Sequence, residues 1–293
     1  MSRPKPGGHR KVRAIVNELR AAVIGVGSMG QNHARVYKEL PETQLVAVVD
    51  DDGARATGVG ALYGCASYGS LQEMLDAQHP DVVSVAVPTS AHHRVASQAL
   101  GAGCHVLVEK PIASTEQEAR DLIGLADRYS RQLMVGHIVR FDPAIRALRT
   151  RLQHGELGRI YEIRSRRLGP FPDRIRDVGV IIDLATHDLD IACHLTRQPI
   201  VRVFCETAQR LHSAHEDMVI GTLRHADGTL GLIDINWLTP SKVRELTVTG
   251  EGGMFLVDYL TQDLYLYENS DAERIDWDRI ALVKGVCEGR MIR

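Results

Sequence analysis

Ala22-Val23-Ile24-Gly25-Val26-Gly27-Ser28-Met29-Gly30 decides the fold. A short apolar run stops at a glycine, and Gly25, Gly27 and Gly30 then keep the spacing G-x-G-x-x-G. The stretch that follows, Gln31–Leu40, carries Val36, Tyr37 and Leu40 at amphipathic-helix spacing. A strand passing through such a loop into a helix is a dinucleotide-binding turn. The first glycine makes the tight bend, the second lets backbone approach a pyrophosphate, and the third lets helix pack on strand. Ser28 and Met29 stand where the helix N-terminus meets the phosphates. Glycines are common in this chain (26 of 293), and a plain strand–helix turn can use them too. The flanking strand and helix give the loop its meaning.

Outward from this loop the pattern repeats. Leu45–Val49, Val82–Val87, His105–Val108 and Leu133–Val135 are β-branched or apolar on both faces, as buried parallel strands are. Helix-like stretches separate them: Leu71–Ala77, Arg94–Ala102 and Thr115–Tyr129. Strand alternating with helix predicts a Rossmann doubly wound parallel sheet over residues 21–140, after a tail, 1–20, in which Pro4, Pro6, Gly7 and Gly8 forbid an early helix. Beyond Arg140 come a helix (Pro143–His154), a strand (Ile160–Arg167), a Pro/Arg loop, a helix (Val180–Leu195) and five more strands with hairpin turns at His225–Gly228 and Gly250–Gly253. Residues 141–293 therefore read as an α+β domain with an open, mostly antiparallel sheet, and the class is α/β. The second strand ends at Val49-Asp50-Asp51. An acid there accepts from the adenine-side ribose and repels a 2′-phosphate, so Asp50 favours NAD over NADP; Arg55 nearby weighs the other way.

Composition narrows the function. The 293 residues suit about two domains. Lys plus Arg is 35 against 37 Asp plus Glu, a net charge of −2, which argues against a nucleic-acid or polybasic membrane binder. With 44% hydrophobic and 25% charged residues, wholesale disorder is excluded. No apolar run approaches the ~18 residues of a membrane span, and Met1–Arg20 lacks the apolar core of a secretory signal. The five cysteines are odd in number and never form a CxxC pair, which fits reduced thiols in the cytoplasm. His212, His215 and Glu216 are closely spaced but lack a persuasive further ligand, so no metal is expected.

Two constellations carry chemistry. Only 6 of the 35 basic residues are lysines, and Lys110 sits in Glu109-Lys110-Pro111 at the carboxyl end of the fourth strand, where ligands of doubly wound sheets bind. A snorkelling surface lysine is the bland alternative. Asp183 and His187 are i and i+4 on a largely apolar helix, so they share a face. A histidine suits proton transfer near neutral pH; a satisfied buried histidine beside an acid would have the same spacing.

With Val87-Pro88-Thr89-Ser90-Ala91-His92 and Arg140-Phe141-Asp142-Pro143 added to these, the chain resembles the Gfo/Idh/MocA oxidoreductase family over about residues 21–270. The resemblance implies that Lys110 and the Asp183/His187 pair face the nicotinamide across the domain cleft. His187 would be the general base, Lys110 its hydrogen-bond partner and Asp183 the orienting acid, with the split of proton transfer between Lys110 and His187 open. It further implies a cis bond at Lys110-Pro111. Pro88, Thr89, His92 and Glu109 would lie on the cofactor side, His137 and Arg140 near the substrate. A homo-oligomer formed through the open sheet is also implied. Members of the family run longer and finish with one or two helices, so an apolar patch is expected where this chain lacks them.

Arg164, Arg166, Arg167, Arg174 and Arg176 surround a stiff Gly169-Pro170-Phe171-Pro172 loop. Guanidinium groups suit phosphates, which makes Arg167 and Arg174 candidate substrate ligands; a solvated charged loop is the alternative. The stretch Arg166–Asp188 resembles the branch of the family that oxidises C3 of UDP-N-acetylglucosamine with NAD, an aminotransferase then acting on the ketone. A free-polyol dehydrogenase and a non-catalytic dinucleotide sensor are the competing readings. A sensor has no need of both Lys110 and His187.

Overall fold

The apolar run before the glycine loop is β1 (Leu19–Ile24), and the helix after it is α1 (Ser28–Glu39). They open a computed structural model that describes residues 18–172, 178–212, 214–269 and 291–292. The chain divides into two compact units, Met1–Gly136 and His137–Arg293.

In the first unit β2 (Thr43–Val49), α2 (Gly53–Tyr63), β3 (Ala66–Tyr68), α3 (Leu71–Gln78), β4 (Val82–Val85), α4 (Thr89–Gly101), β5 (His105–Val108), α5 (Glu116–Arg128) and β6 (Leu133–Val135) follow. The six strands are all parallel, in the order β3-β2-β1-β4-β5-β6. Both sheet faces are buried, as the continuous apolar runs require. Ala22, Ile24, Val83 and Val106 pack with α3, α4 and α5, while Val23 and Val48 pack with Ala34 of α1 and Val59 of α2. The sequence reading missed α2 and β3. Gly53, Gly58 and Gly60 blur any helical periodicity there. The helix is fixed instead at its ends, by Asp52 accepting the Arg55 N–H (3.1 Å) and by Gly64 in the left-handed region.

The second unit begins with a short 3-10 turn (Ile138–Phe141) and α6 (Pro143–Gln153), whose first N–H groups are capped by Asp142. Then come β7 (Ile160–Leu168), a π turn (Ile181–Ala185) leading into α7 (Thr186–Thr196), β8 (Ile200–Ala208), β9 (Met218–His225), β10 (Leu230–Asn236), β11 (Val243–Gly250), β12 (Gly253–Asp258), β13 (Asp263–Glu268) and β14 (Met291–Ile292). The sheet order is β14-β13-β12-β11-β7-β10-β9-β8; only the β7–β10 pairing is parallel. Ala144, Ile145 and Leu148 of α6, Ile191 and Leu195 of α7, and Ile163, Leu246 and Phe255 of the sheet share one core. No helix among the described residues is long and apolar enough to cross a membrane.

The stretch read as one α-helix from Val180 opens with a wider turn. Glu216 pins it from outside: its carbonyl accepts the Val180 N–H (2.9 Å) and its carboxylate accepts the Ile181 N–H (3.1 Å). The Thr186 N–H then reaches back five residues to Ile181. Such π turns recur at functional sites.

Candidate active site

The glycine loop fits the dinucleotide reading atom by atom. Gly25 has φ +82°, and a Cβ there would stand 2.7 Å from the Ala86 carbonyl oxygen. A Cβ on Gly30 would stand 1.8 Å from the Gly25 carbonyl oxygen, so only glycine lets α1 pack this closely. Gly27 has nothing within 4 Å of its missing Cβ, leaving room for a ligand against the backbone. The start of α1 has no side-chain cap and no acidic residue in its first turn, so its N–H groups and dipole are available to phosphates. Asp50 braces this loop: its carboxylate accepts the Val26 N–H (2.8 Å) and the Asp52 N–H (2.9 Å). Arg55 is turned onto Asp50 (3.3 Å) and Asp52 (3.2 Å). Two carboxylates thus occupy the one guanidinium that the sequence set against NAD.

β1, β4 and β5 are neighbours, and their carboxyl ends carry Gly25–Gly30, Val87-Pro88 and Glu109-Lys110. All three therefore lie on one edge of the parallel sheet. Thr89 opens α4. Lys110 is half-buried, and the bond to Pro111 is cis, as the resemblance implies. His92 requires a correction. Rather than lining a ligand site, its ring is 1% exposed and lies between the carbonyls of Pro111 (Nδ1, 2.8 Å) and Val87 (Nε2, 2.9 Å). It clamps the α4 turn to the Lys110-Pro111 segment, because an apolar helix face leaves its polar atoms only those carbonyls.

Glu109 also faces inward. His33 Nε2 lies 2.9 Å from its Oε1, Ser84 Oγ 3.2 Å from His33 Nδ1, and Tyr37 O–H 2.9 Å from Ser84. The Lys110 N–H donates to Glu109 Oε2 (3.2 Å). Burial opposes the Glu109 charge, but His33 and Lys110 more than offset it, holding the carboxyl below the usual carboxylate range. Burial likewise pushes the Tyr37 phenol up. Sequence reasoning passed over this chain, whose His33 lies three residues after Gly30.

In the second unit Asp183 lies on the π turn and His187 on the first turn of α7, both half-buried. The neighbouring acids are engaged. Asp188 is 1% exposed and takes Arg167 in a bidentate pair (2.7 and 3.1 Å), with the guanidinium 5.4 Å over the Tyr259 ring. Burial works against the Arg167 charge, yet Asp188 outweighs it and raises the pKa further. Arg140 pairs with both oxygens of Asp190, and His137 Nδ1 lies 3.6 Å from the same carboxylate.

Of the two candidate substrate arginines, Arg167 is corrected by the strand pleat, which sends alternate residues to opposite faces, while its neighbours follow the solvated alternative. Arg164 and Arg166 are exposed and pair with Glu162 (3.2 Å) and Glu245 (2.9 Å). Arg167 points into the core, so it holds the strand to α7 instead of a substrate. Arg174 and Arg176 lie outside the described residues. The sequence also left out Arg146, Arg149 and His194, which with Arg140 line a cavity of about 550 Å³. Their signal was present: α6 has three arginines and no acidic residue. His212 is buried against Phe171 and Trp237, and its Nδ1 accepts the His215 N–H (3.0 Å).

Comparison with known proteins agrees with both units. Residues 19–137 match the oxidoreductase family's NAD-binding Rossmann fold, and residues 145–256 match the GFO/IDH/MocA C-terminal domain. The UDP-N-acetylglucosamine 3-dehydrogenase of Acidithiobacillus ferrooxidans is 34% identical over 85% of this chain and 77% of its own length. Its solved structure superposes with a TM-score of 0.80 at 34% identity, covering 86% of this chain and 80% of that one. The D-glucoside 3-dehydrogenase of Escherichia coli is 34% identical over 70% of this chain and 59% of its own length.

Proposed function

We propose, on the premise that this chain belongs to the Gfo/Idh/MocA family of NAD-binding oxidoreductases, that it oxidises the C3 hydroxyl of UDP-N-acetylglucosamine to a ketone. The observation that carries the reading is the single sheet edge shared by the glycine loop, Val87-Pro88 and Lys110. It puts a rare lysine beside the place where the loop would hold a dinucleotide. When bound, NAD supplies the acceptor for the hydride leaving C3. The loop from Gly25 to Gly30 and the start of α1 hold its phosphates, and Glu109 and Pro88 stand on the nicotinamide side. His187 accepts the C3 hydroxyl proton on its imidazole, near the pH at which a histidine exchanges protons readily. Asp183, on the same side of that helix, orients the ring. The Lys110 ammonium, on the sheet edge that carries the glycine loop, is the cationic group assigned to stabilising the charge that grows during oxidation.

The matching identity of the D-glucoside 3-dehydrogenase favours one second reading, an unphosphorylated sugar as substrate. NADH absorbance against UDP-sugars, glucosides and free polyols separates the two. Turnover of UDP-N-acetylglucosamine is expected, and activity on glucosides or myo-inositol with none on any UDP-sugar overturns the nucleotide-sugar assignment. Lys110→Ala and His187→Ala should each lower turnover by about a hundredfold or more while NAD still binds. Full activity in both ends the catalytic assignment.

The keto product is an aminotransferase substrate by its chemistry, and the cytoplasm supplies NAD to such an enzyme. On the sheet face turned away from α6 and α7, Phe204 and Ile220 are 67% and 50% exposed. We assign that face to a homo-oligomer contact; light scattering that finds only monomer removes it.

A further inference from the structure

α6 buries Ala144, Ile145 and Leu148, and its Arg146 and Arg149 line the cavity of about 550 Å³. Arg140, Phe141 and His194 complete the part of its wall that matters chemically. No carboxylate among the described residues lines it. Arg140 is neutralised by Asp190, but Arg146 and Arg149 have no acidic partner among the described residues. Arg149 Nε is buried and makes no hydrogen bond. Arg35 on α1 pairs with Glu39 (2.8 Å), Arg120 on α5 with Glu116 four residues away and Arg151, on α6 but outside the cavity, with Glu156 (2.8 Å), whereas the exposed Arg94 and Arg128 also lack an acid among the described residues but line no such cavity. The cavity therefore keeps two uncompensated guanidinium charges, an arrangement suited to a polyanion.

We propose that this cavity is the substrate's anion subsite, taking the pyrophosphate of a nucleoside diphosphate on Arg146 and Arg149 and its base against Phe141. The inference rests on the nucleotide-sugar reading and names where the charged half of that substrate sits. Three further observations support it. His187, Asp190 and His194 are i, i+3 and i+7, so one side of α7 leads from the proposed base to the cavity wall. Seven residues of helix span about 10 Å, a reach that suits a diphosphate attached to a hexose whose C3 lies at His187. Phe141 is 58% exposed beside the arginines, so its ring face is open to stack on a flat base. The cavity is also electropositive at His194, whose pKa burial and then Arg149 and Arg140 push below the ordinary histidine value.

The test uses the full chain with NAD at saturation, so that the dinucleotide site is filled. UDP and inorganic pyrophosphate are titrated calorimetrically into the wild type, Arg146→Gln, Arg149→Ala and the double variant. UDP should bind the wild type and lose about tenfold or more in affinity per arginine removed, with NAD affinity unchanged. The KM for UDP-N-acetylglucosamine should rise by more than kcat falls. Arg149→Lys, which keeps the charge and loses the fork, should fall between wild type and Arg149→Ala. Arg146 is exposed, so its variant folds and keeps the test valid should Arg149→Ala not. UDP-sugar turnover with unchanged KM and unchanged UDP affinity in the double variant overturns the subsite and leaves the dehydrogenase reading standing. Arginine-dependent UDP binding in a protein that oxidises no UDP-sugar upholds the subsite and removes the substrate reading.

Discussion

Two stretches of the second unit are rich in arginine and meet opposite fates. On β7 each arginine faces a carboxylate: Arg164 has Glu162, Arg166 has Glu245 and Arg167 has Asp188. On α6 Arg146 and Arg149 have none among the described residues, and both line a cavity. The denser cluster in sequence is thus the one whose charge is already neutralised. A run of arginines says little about ligands until the placement of every nearby acid is known. The lone helix with basic residues at i and i+3 and no acid is the better signal.

The comparison breaks most sharply at Arg167. Removing one partner of a buried ion pair leaves the other charged and desolvated, at a cost of about 3–5 kcal/mol. Arg167→Ala or Asp188→Ala should therefore lower the stability read from urea unfolding by that order. Arg166→Ala, on an exposed pair, should change it by about 1 kcal/mol or less. Neither arginine should alter the KM of a soluble, folded variant. An Arg167 variant of native stability whose KM rises tenfold would return that residue to the substrate site.

The first unit was the more legible one because its signals are local. Gly25, Gly27 and Gly30 are fixed by steric demands within one turn, and five of six strands are apolar on both faces. α2 and β3 escaped because helix ends, rather than periodicity, hold Gly53–Tyr63, and β3 is only three residues long. In the second unit the strands and hairpin turns were readable, but the roles of polar residues were not. Arg164, Arg166 and Arg167 are near neighbours in sequence and lie on opposite sides of a sheet. His92 looked like a ligand residue and is a clamp between two carbonyls. Each of these errors concerns which partner a polar atom finds, and partners distant in sequence, such as Asp188 for Arg167 or Glu109 for His33, leave no periodic trace.

Glu109 carries the same lesson at smaller amplitude, with a pH dependence whose sign follows from its partners. His33 and the Lys110 N–H and ammonium keep its carboxyl charged in the fold at a pH where the unfolded chain already takes up a proton. The stability this supplies is complete above the ordinary glutamate value of about 4.3, shrinks as the pH falls below it and is lost once the lowered folded value is passed. Glu109→Gln keeps the shape and the neighbours but cannot titrate. At about pH 6 the variant should be less stable than the wild type by about 1.5–3 kcal/mol, the scale of a hydrogen bond to a charged group, and the gap should close as the pH approaches 3. Urea midpoints measured across that range decide it. A gap that stays constant with pH would mean that Glu109 is held by packing against Gly136 rather than by charge, and that the His33 chain does not act on the segment carrying Lys110.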